Sequence, residues 1–380
     1  MHQPPFPDEP SPPSGGTIWW LAGPAAGGVG TYVEAVGRQL VAAGASCRLI
    51  TVPAGGSTAW GALRALGAQL RHQAGSPRLI HAHGLKAALA ASLACPRVPL
   101  VMTLHTFPTG WWQRQVARWV ARRCRAVVAV SRALATWAAV AGIVPAAAPG
   151  QPAQVHVLVP PLPRGGAALL PRQRARRELA LPDVGPVVGT IARLSREKGV
   201  DVLLRAVALV HRHGLPVTCV VIGAGPDEPA LRRLAGRLGI GAWVRWAGYR
   251  QEAARWLRAV DVYVQPSRQE AYGLAVAEAM AAACPVVASR TGGLEDLVRD
   301  GIDGRLVPAG DPVVLARALF GLLRDESARQ RLARAAAARA SRWPDAAQVA
   351  RQHLQLYGQL ATPPAAARRT GRLHPAEERR

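Results

Sequence analysis

The chain has 380 residues, 49% of them apolar, with 38 glycines and 32 prolines in no collagen-like period; this suffices for two globular cores and excludes a fibre or a wholly disordered chain. Arginines and lysines number 47 against 23 acids, a net charge of +24, so anionic partners are open: membrane surfaces, nucleic acids or phosphorylated substrates. Five scattered cysteines (Cys47, Cys95, Cys124, Cys219, Cys284) show no metal-ligand spacing, which argues against a disulfide scaffold and fits a reducing cytosol.

Residues 1–14 are rich in Pro and Ser and lack the order of a signal peptide; a disordered tail is expected. Thr17–Leu21 reads as a strand running into the turn Gly27-Gly28-Val-Gly30. Val29, Val33, Val36 and Leu40 then share one helical face, stopped at Gly44. Strands follow at Cys47–Val52, Arg78–His83 and Leu100–His105, the last two separated by an alanine-rich helix. Trp111–Arg125 is basic, with Arg114, Arg118, Arg122 and Arg125 on one face and Trp112, Val116, Trp119 and Val120 largely elsewhere. It is either an interfacial helix drawn to anionic lipid or a surface helix whose apolar side joins the core. A strand at Ala126–Val130, a Pro/Ala loop over 142–154, a strand at Val155–Val159 and the prolines at 160–163 close this half.

In the second half, short apolar strands begin near Val187, Val217, Trp243, Asp261, Pro285 and Gly304. Helices fill the gaps, with stripes at Leu203, Ala206, Val207 and Val210 and at Leu231, Leu234 and Leu238. Strands alternating with helices imply parallel sheets covered on both faces. Two such runs imply an α/β protein of two Rossmann-like lobes. Ligands of such sheets lie beyond the carboxyl ends of the strands, so the cleft between lobes is the expected site. Residues 361–380, aperiodic with five arginines, read as a second disordered tail. No clean run of about 20 apolar residues is present, so the chain is expected not to span a membrane.

Four segments carry chemistry. In Gly189–Gly199 a strand ends and a loop brings Arg193, Arg196 and Lys198 to a helix start; cations and helix amides together suit an anion, although a solvated basic loop has the same pattern. Glu270 precedes a helix whose first turn holds Gly273 and Leu274 and whose apolar interior holds Glu278. A carboxylate there needs partners: a ribose diol is one, an arginine another. Gly223-Ala-Gly225-Pro226 and Gly27-Gly28-Val-Gly30 let a base or phosphate approach the backbone, or simply close tight turns. His81, His83 and His105 sit near strand ends where they would face the cleft, without carboxylate or cysteine spacing for zinc. No Asp-x-Asp pair offers ligands for a metal-bridged diphosphate.

The combination resembles glycosyltransferase family 4, retaining nucleotide-sugar enzymes of GT-B fold. It rests on Glu270-x7-Glu278 running into Ala-Met and Cys284-Pro-Val-Val-Ala-Ser, on Arg193-x4-Lys198-Gly, on the Ile-Gly-Ala-Gly-Pro turn and Asp261-Val-Tyr-Val-Gln-Pro-Ser, and downstream on Gly292-Gly293 and Asp300-Gly-x2-Gly304. The likeness spans about 17–360 and is most specific over 186–325; the first half matches through Gly27-Gly28-Val-Gly30, His81-Ala-His83 and Thr103-Leu-His105.

The resemblance implies an acceptor lobe over 15–165, a donor lobe over 166–344 and a helix over 345–360 crossing back to the first lobe. It implies that Arg193 and Lys198 neutralise the donor diphosphate, Glu278 binds the ribose and Glu270 the donor sugar. Gly273 and Leu274 would contact sugar and phosphate, Gly223–Gly225 and Tyr249–Arg250 would border the base, and His105, with His83 nearby, would sit against the donor sugar. Gly28 would lie near the β-phosphate and acceptor. Two departures stand out: Pro160-Pro-Leu-Pro163 replaces a Pro-Asn-Gly turn, implying a stiffer hinge, and Asp296 replaces the glutamate of a Gly-Gly-x-x-Glu loop, which bears on sugar selectivity.

The implied function is transfer of a hexosyl unit from a nucleotide-diphosphate sugar, a UDP-sugar preferred, to a sugar, lipid-linked or small-molecule acceptor, with no cofactor and no metal. The expected location is cytoplasmic; the interfacial alternative for Trp111–Arg125 would add peripheral contact with an anionic membrane. A nucleotide-sugar epimerase or a sugar phosphorylase shares the fold, the latter needing a cofactor lysine for which only Lys198 is present in the second half. A basic nucleic-acid-binding protein is the reading of another class; the arginines lie in both lobes and no recognised nucleic-acid motif is present, so nucleic acid is not the expected partner.

Overall fold

The computed structural model describes residues 16–23, 28–51, 59–72, 77–145, 155–162 and 168–361. Both expected tails, Gly27, most of the 142–154 loop and Pro163 lie outside these residues. Twelve strands form two parallel sheets. The first holds β1 (Ile18–Ala22), β2 (Cys47–Thr51), β3 (Leu79–His83), β4 (Leu100–Leu104), β5 (Ala126–Ala129) and β6 (Val155–Val157), in the order β2-β1-β3-β4-β5-β6. The second holds β7 (Val187–Ile191), β8 (Thr218–Ile222), β9 (Val244–Gly248), β10 (Val262–Gln265), β11 (Val286–Arg290) and β12 (Arg305–Pro308), in the order β12-β11-β10-β7-β8-β9. The expected strands are present within one or two residues. In the second half each begins at or one residue after its expected start.

The strands are buried on both faces, as near-continuous Val/Ile/Leu runs dictate. One apolar cluster includes Leu21, Met102 and Val127 of the first lobe and Val187, Val220 and Met280 of the second, so the lobes share a core. A second covers the other face of the second sheet. A third joins β1 residues Ile18 and Trp20 and the helix Gly28–Ala42 to the last helix, Ala346–Ala361, through Val349, Ala350, Leu356 and Tyr357.

That last helix therefore crosses back to the first lobe. Its start is set by a reciprocal cap: Gln348 N donates to Asp345 Oδ1 (2.8 Å) and Asp345 N to Gln348 Oε1 (2.9 Å). Leu162 N donates to Pro344 O (3.1 Å), tying the proline linker to the same point. Burying residues the size of Leu356 or Tyr357 contributes about 1.5–3 kcal/mol each, which holds the crossing in place.

Candidate functional site

A cleft of about 260 Å³ lies between the lobes. Thr31, Tyr32, Ala35 and Gln39 line it from the helix Gly28–Ala42, Pro160–Leu162 from the linker, Leu274 and Glu278 from the second lobe, and Asp345–Ala347 from the start of the crossing helix.

In the second lobe, backbone close approach shapes the loops. After β7 the chain makes a turn at Arg196–Lys198, and Gly199 (φ +65°) leads into the helix Val200–Arg212. A Cβ on Gly199 would lie 2.0 Å from Pro266 O, so this loop rests on the one after β10. Gly223 (φ +143°) and Gly225 lie against the same loop from the other side, with added Cβ atoms 1.9 Å from Ala192 O and 2.3 Å from Leu194 O. On the side where a Cβ would stand, these glycines are thus packed against neighbouring chain. Glycine is required there because nothing larger fits.

The stacking brings Arg193–Lys198 and Glu270–Glu278 together. Lys198 Nζ donates to Glu270 Oε2 (2.8 Å) and Oε1 (3.0 Å). Ser267 Oγ also donates to Glu270 Oε2 (3.2 Å) and receives Gln265 Nε2 (2.9 Å), while Tyr263 Oη donates to Gln265 Oε1 (2.6 Å). This buried chain holds the Glu270 carboxylate in one orientation. Arg268 is drawn away to a two-pronged pair with Asp201 (2.6 and 2.7 Å). Arg193 is exposed and, among the described residues, makes no side-chain hydrogen bond or ion pair.

Gly273 (φ +101°) precedes the helix Leu274–Ala281. Its first amides have no carbonyl a turn earlier and form a positive end. One turn on, Glu278 is half-buried in the cleft wall, and among the described residues its carboxylate has neither hydrogen bond nor ion pair. Among the described residues no arginine pairs with it. Burial pushes its carboxyl up to about 7. Tyr249 and Arg250 are exposed beyond β9, with Arg250 over the Trp256 ring at 5.6 Å.

The first lobe meets these loops closely. A Cβ on Gly28 would lie 3.6 Å from Leu274 Cδ2, and one on Gly292 (φ +52°) would lie 3.3 Å from the Phe107 ring. Asp296 Oδ2 accepts from the amides of Arg132 (2.7 Å) and Ala133 (3.2 Å), capping the helix Arg132–Val140 of the other lobe. The shorter acid at this position thus joins the lobes.

Of the three histidines expected at the cleft, His105 is half-buried at the end of β4. His83 is buried and shares a hydrogen bond with it, Nδ1 to Nε2, 3.1 Å. His81 does not face the cleft: it is fully buried, bonded to Thr103 Oγ1 (2.7 Å) and Tyr357 Oη (2.5 Å). His353 of the crossing helix, which sequence reasoning missed, bonds Tyr32 Oη (2.6 Å). Its signal was a polar pair, His353 and Tyr357, one turn apart on an apolar stripe. Burial holds all four imidazoles below the usual histidine range, His105 to about 4 and His353 to about 3, so they are neutral at pH 7.

Two Rossmann-like lobes facing a cleft, with a last helix returning to the first, define the GT-B architecture. It is similar in fold to the crystal structure of Anabaena Alr3699/HepE in complex with UDP and glucose (TM-score 0.75, 23% identity, 90% of this chain and 100% of that one). It is likewise similar to a sucrose-phosphate synthase from Thermosynechococcus elongatus (TM-score 0.76, 22% identity, 91% and 99%). The model for Glycosyltransferase Family 4 matches residues 26–148 and that for Glycosyl transferases group 1 matches 185–325. The chain thus carries a Glycosyltransferase Family 4 domain in its first lobe and a Glycosyl transferases group 1 domain in its second. Similar relatives include proteins named D-inositol 3-phosphate glycosyltransferase from Corynebacterium jeikeium (41% identity over 205 residues, 52% of this chain and 48% of the relative) and Salinispora tropica (34% over 298 residues, 71% and 62%). The matched region thus spans about half to two-thirds of those relatives.

Proposed function

We propose that this protein is a retaining glycosyltransferase that moves a hexosyl unit from a nucleotide-diphosphate sugar, a UDP-sugar by preference, to an acceptor hydroxyl in glycoconjugate, polysaccharide or glycolipid synthesis. The observation that carries the reading is the meeting of Lys198, Glu270 and the positive end of Leu274–Ala281 beside the unpaired Glu278. Residues 166–344 form the donor lobe, 15–165 the acceptor lobe, and 345–360 the crossing helix.

The ammonium of Lys198 has three protons, and Glu270 takes two in a fixed direction. The third, with Arg193, is available to a diphosphate oxygen, so these cations rather than a metal offset the diphosphate charge. Glu278 accepts from the ribose hydroxyls, and Glu270 from hydroxyls of the donor sugar. Gly273 and Leu274 supply backbone contacts. Gly28 faces the phosphate from the first lobe, and His83 holds His105 against the sugar. Gly223, Gly225, Tyr249 and Arg250 border the base.

In the reaction, the bond from the sugar's anomeric carbon to the β-phosphate oxygen breaks. The acceptor oxygen bonds the same carbon on the same face, and its proton passes to the departing phosphate. Negative charge grows on that phosphate as the bond breaks, so cations placed beforehand favour the transition state over the ground state. Closure of the lobes excludes water.

The test is a melting-temperature panel of UDP-, GDP- and ADP-sugars with and without Mg²⁺ or EDTA, followed by product analysis with lipid-linked, sugar and inositol-phosphate acceptors. A UDP-sugar raises the melting temperature by mass action without Mg²⁺, Glu278→Ala removes the shift, and NMR of the product shows a retained anomeric configuration. No shift with any donor, or an inverted product, contradicts the reading.

A further inference from the structure

The outer face of the helix Trp111–Ala121 has no role in the cleft. Its inner side is made of Ala117, Val120 and Ala121, which bring the backbone close to the core. The tryptophans point outward: Trp111, Trp112 and Trp119 are 60%, 72% and 40% exposed. The apolar side expected to join the core does so only in part: Val120 is buried and Val116 packs against the core, while Trp112 and Trp119 stay outside. Trp111 packs edge-on against Trp112, and the Arg123 guanidinium lies 4.0 Å over the Trp119 ring. Arg114, Arg122 and Arg125 are exposed along the same segment.

The surroundings extend the pattern. Leu93, on the adjoining helix Leu85–Ala94, and Val140 are exposed. Val140 is held beside this helix by Arg118 Nε donating to Ala141 O (2.6 Å). From residue 35 to residue 177 the sequence holds no aspartate or glutamate, against 18 arginines and lysines. The helix begins six residues after His105, which follows the carboxyl end of β4, the end at which ligands of such sheets bind.

We propose that this face docks on an anionic lipid bilayer, with the indoles at headgroup level and the arginines on lipid phosphates. Indoles combine an apolar body with a polar N–H and suit that boundary. Arginines in a field without acids supply the attraction. A nucleic acid would use the arginines but gives Leu93 and Val140 no apolar phase. Docking here would present the cleft rim to acceptors held in the membrane.

The test is co-sedimentation of the full chain with phosphatidylcholine vesicles and with vesicles holding about 30% phosphatidylglycerol, at about 0.15 M salt. The wild type binds the anionic vesicles at least about tenfold more tightly, with a blue-shifted tryptophan emission, and loses this at high salt. Trp111→Ser/Trp112→Ser/Trp119→Ser and, separately, Arg114→Gln/Arg122→Gln/Arg125→Gln each weaken binding by about tenfold or more. These side chains are exposed, and UDP-sugar binding by the variants reads fold and donor site separately. Equal binding to both vesicle types, or a tryptophan variant that binds like wild type, overturns the proposal. So does a tryptophan-dependent dimer, or a single-stranded oligonucleotide bound more tightly than the vesicles.

Discussion

Each lobe has its own six-stranded parallel sheet, but the two hold their loops differently. In the second, the loops are locked to one another. Cβ atoms at Gly199, Gly223, Gly225 and Gly292 would each fall between 1.9 and 2.3 Å from a neighbouring carbonyl oxygen. Carboxylates pair there with cations, as in Lys198–Glu270 and Arg268–Asp201. In the first lobe the polar order lies inward, in a neutral network of His81, His83, His105 and His353 with Tyr32 and Tyr357. The contrast teaches that the loops of one half are fixed against one another, as the proposed charged donor requires, while the polar groups of the other are tied to the crossing helix.

The largest expected effect breaks that contrast at its strongest point. Lys198→Gln lowers kcat/KM for donor transfer by about 10²–10³, the usual scale for one charge-stabilising donor. Steady-state kinetics beside Gln39→Ala, on the first-lobe wall, checks it; an equal fall in both variants would erase the distinction between lobes.

Glu278→Gln sharpens the comparison with two opposite readouts. Donor affinity falls about 10- to 100-fold, because a carboxylate accepting two hydroxyls is lost. Stability rises. The folded carboxyl titrates near 7, above its ordinary value of 4.5, so its ionisation destabilises the native state as pH rises from 4.5 through 7. Allowing for its partial exposure, the Gln variant gains about 1–3 kcal/mol at pH 8 and nothing at pH 4, measured by denaturant titration.

The histidines predict the reverse limb. Their folded values lie below 6.5, so the unfolded chain binds more protons. Stability is complete above pH 6.5 and falls with acid toward pH 4, by up to about 1.4 kcal/mol per pH unit for each group. Hydrogen exchange should show the Ala346–Ala361 helix opening before the second sheet, with a shallower limb in His353→Gln. The smallest effect is at the joint: Asp296→Ala removes a helix cap shared between lobes, costs about 0.5–2 kcal/mol and raises the donor KM by about twofold to fivefold, read by denaturation and kinetics.

Much of this was legible in the sequence where the physics is local. Runs such as Val286–Ala288 specify buried strands, and the segments carrying Lys198 and Glu270 were expected to converge, as these two side chains do. What was not legible depends on contacts distant in sequence. His353 matters because Tyr32 lies 321 residues away, and Asp296 because it finds amides in the other lobe. At Trp111–Ala121 the periodicity showed two faces but not which one the core takes. The small side chains decided that, since Ala117 and Ala121 allow a closer approach than an indole does.

The most direct measurement is calorimetric titration of a UDP-sugar at pH 6 and pH 8. Burial pushes the Glu278 carboxyl up to about 7, inside that range, while the diphosphate and the buried histidines keep one charge state. Wild-type affinity is about tenfold weaker at pH 6, and that pH dependence disappears in Glu278→Gln. Equal wild-type affinity at both pH values, or the same dependence in both proteins, would contradict the donor site described.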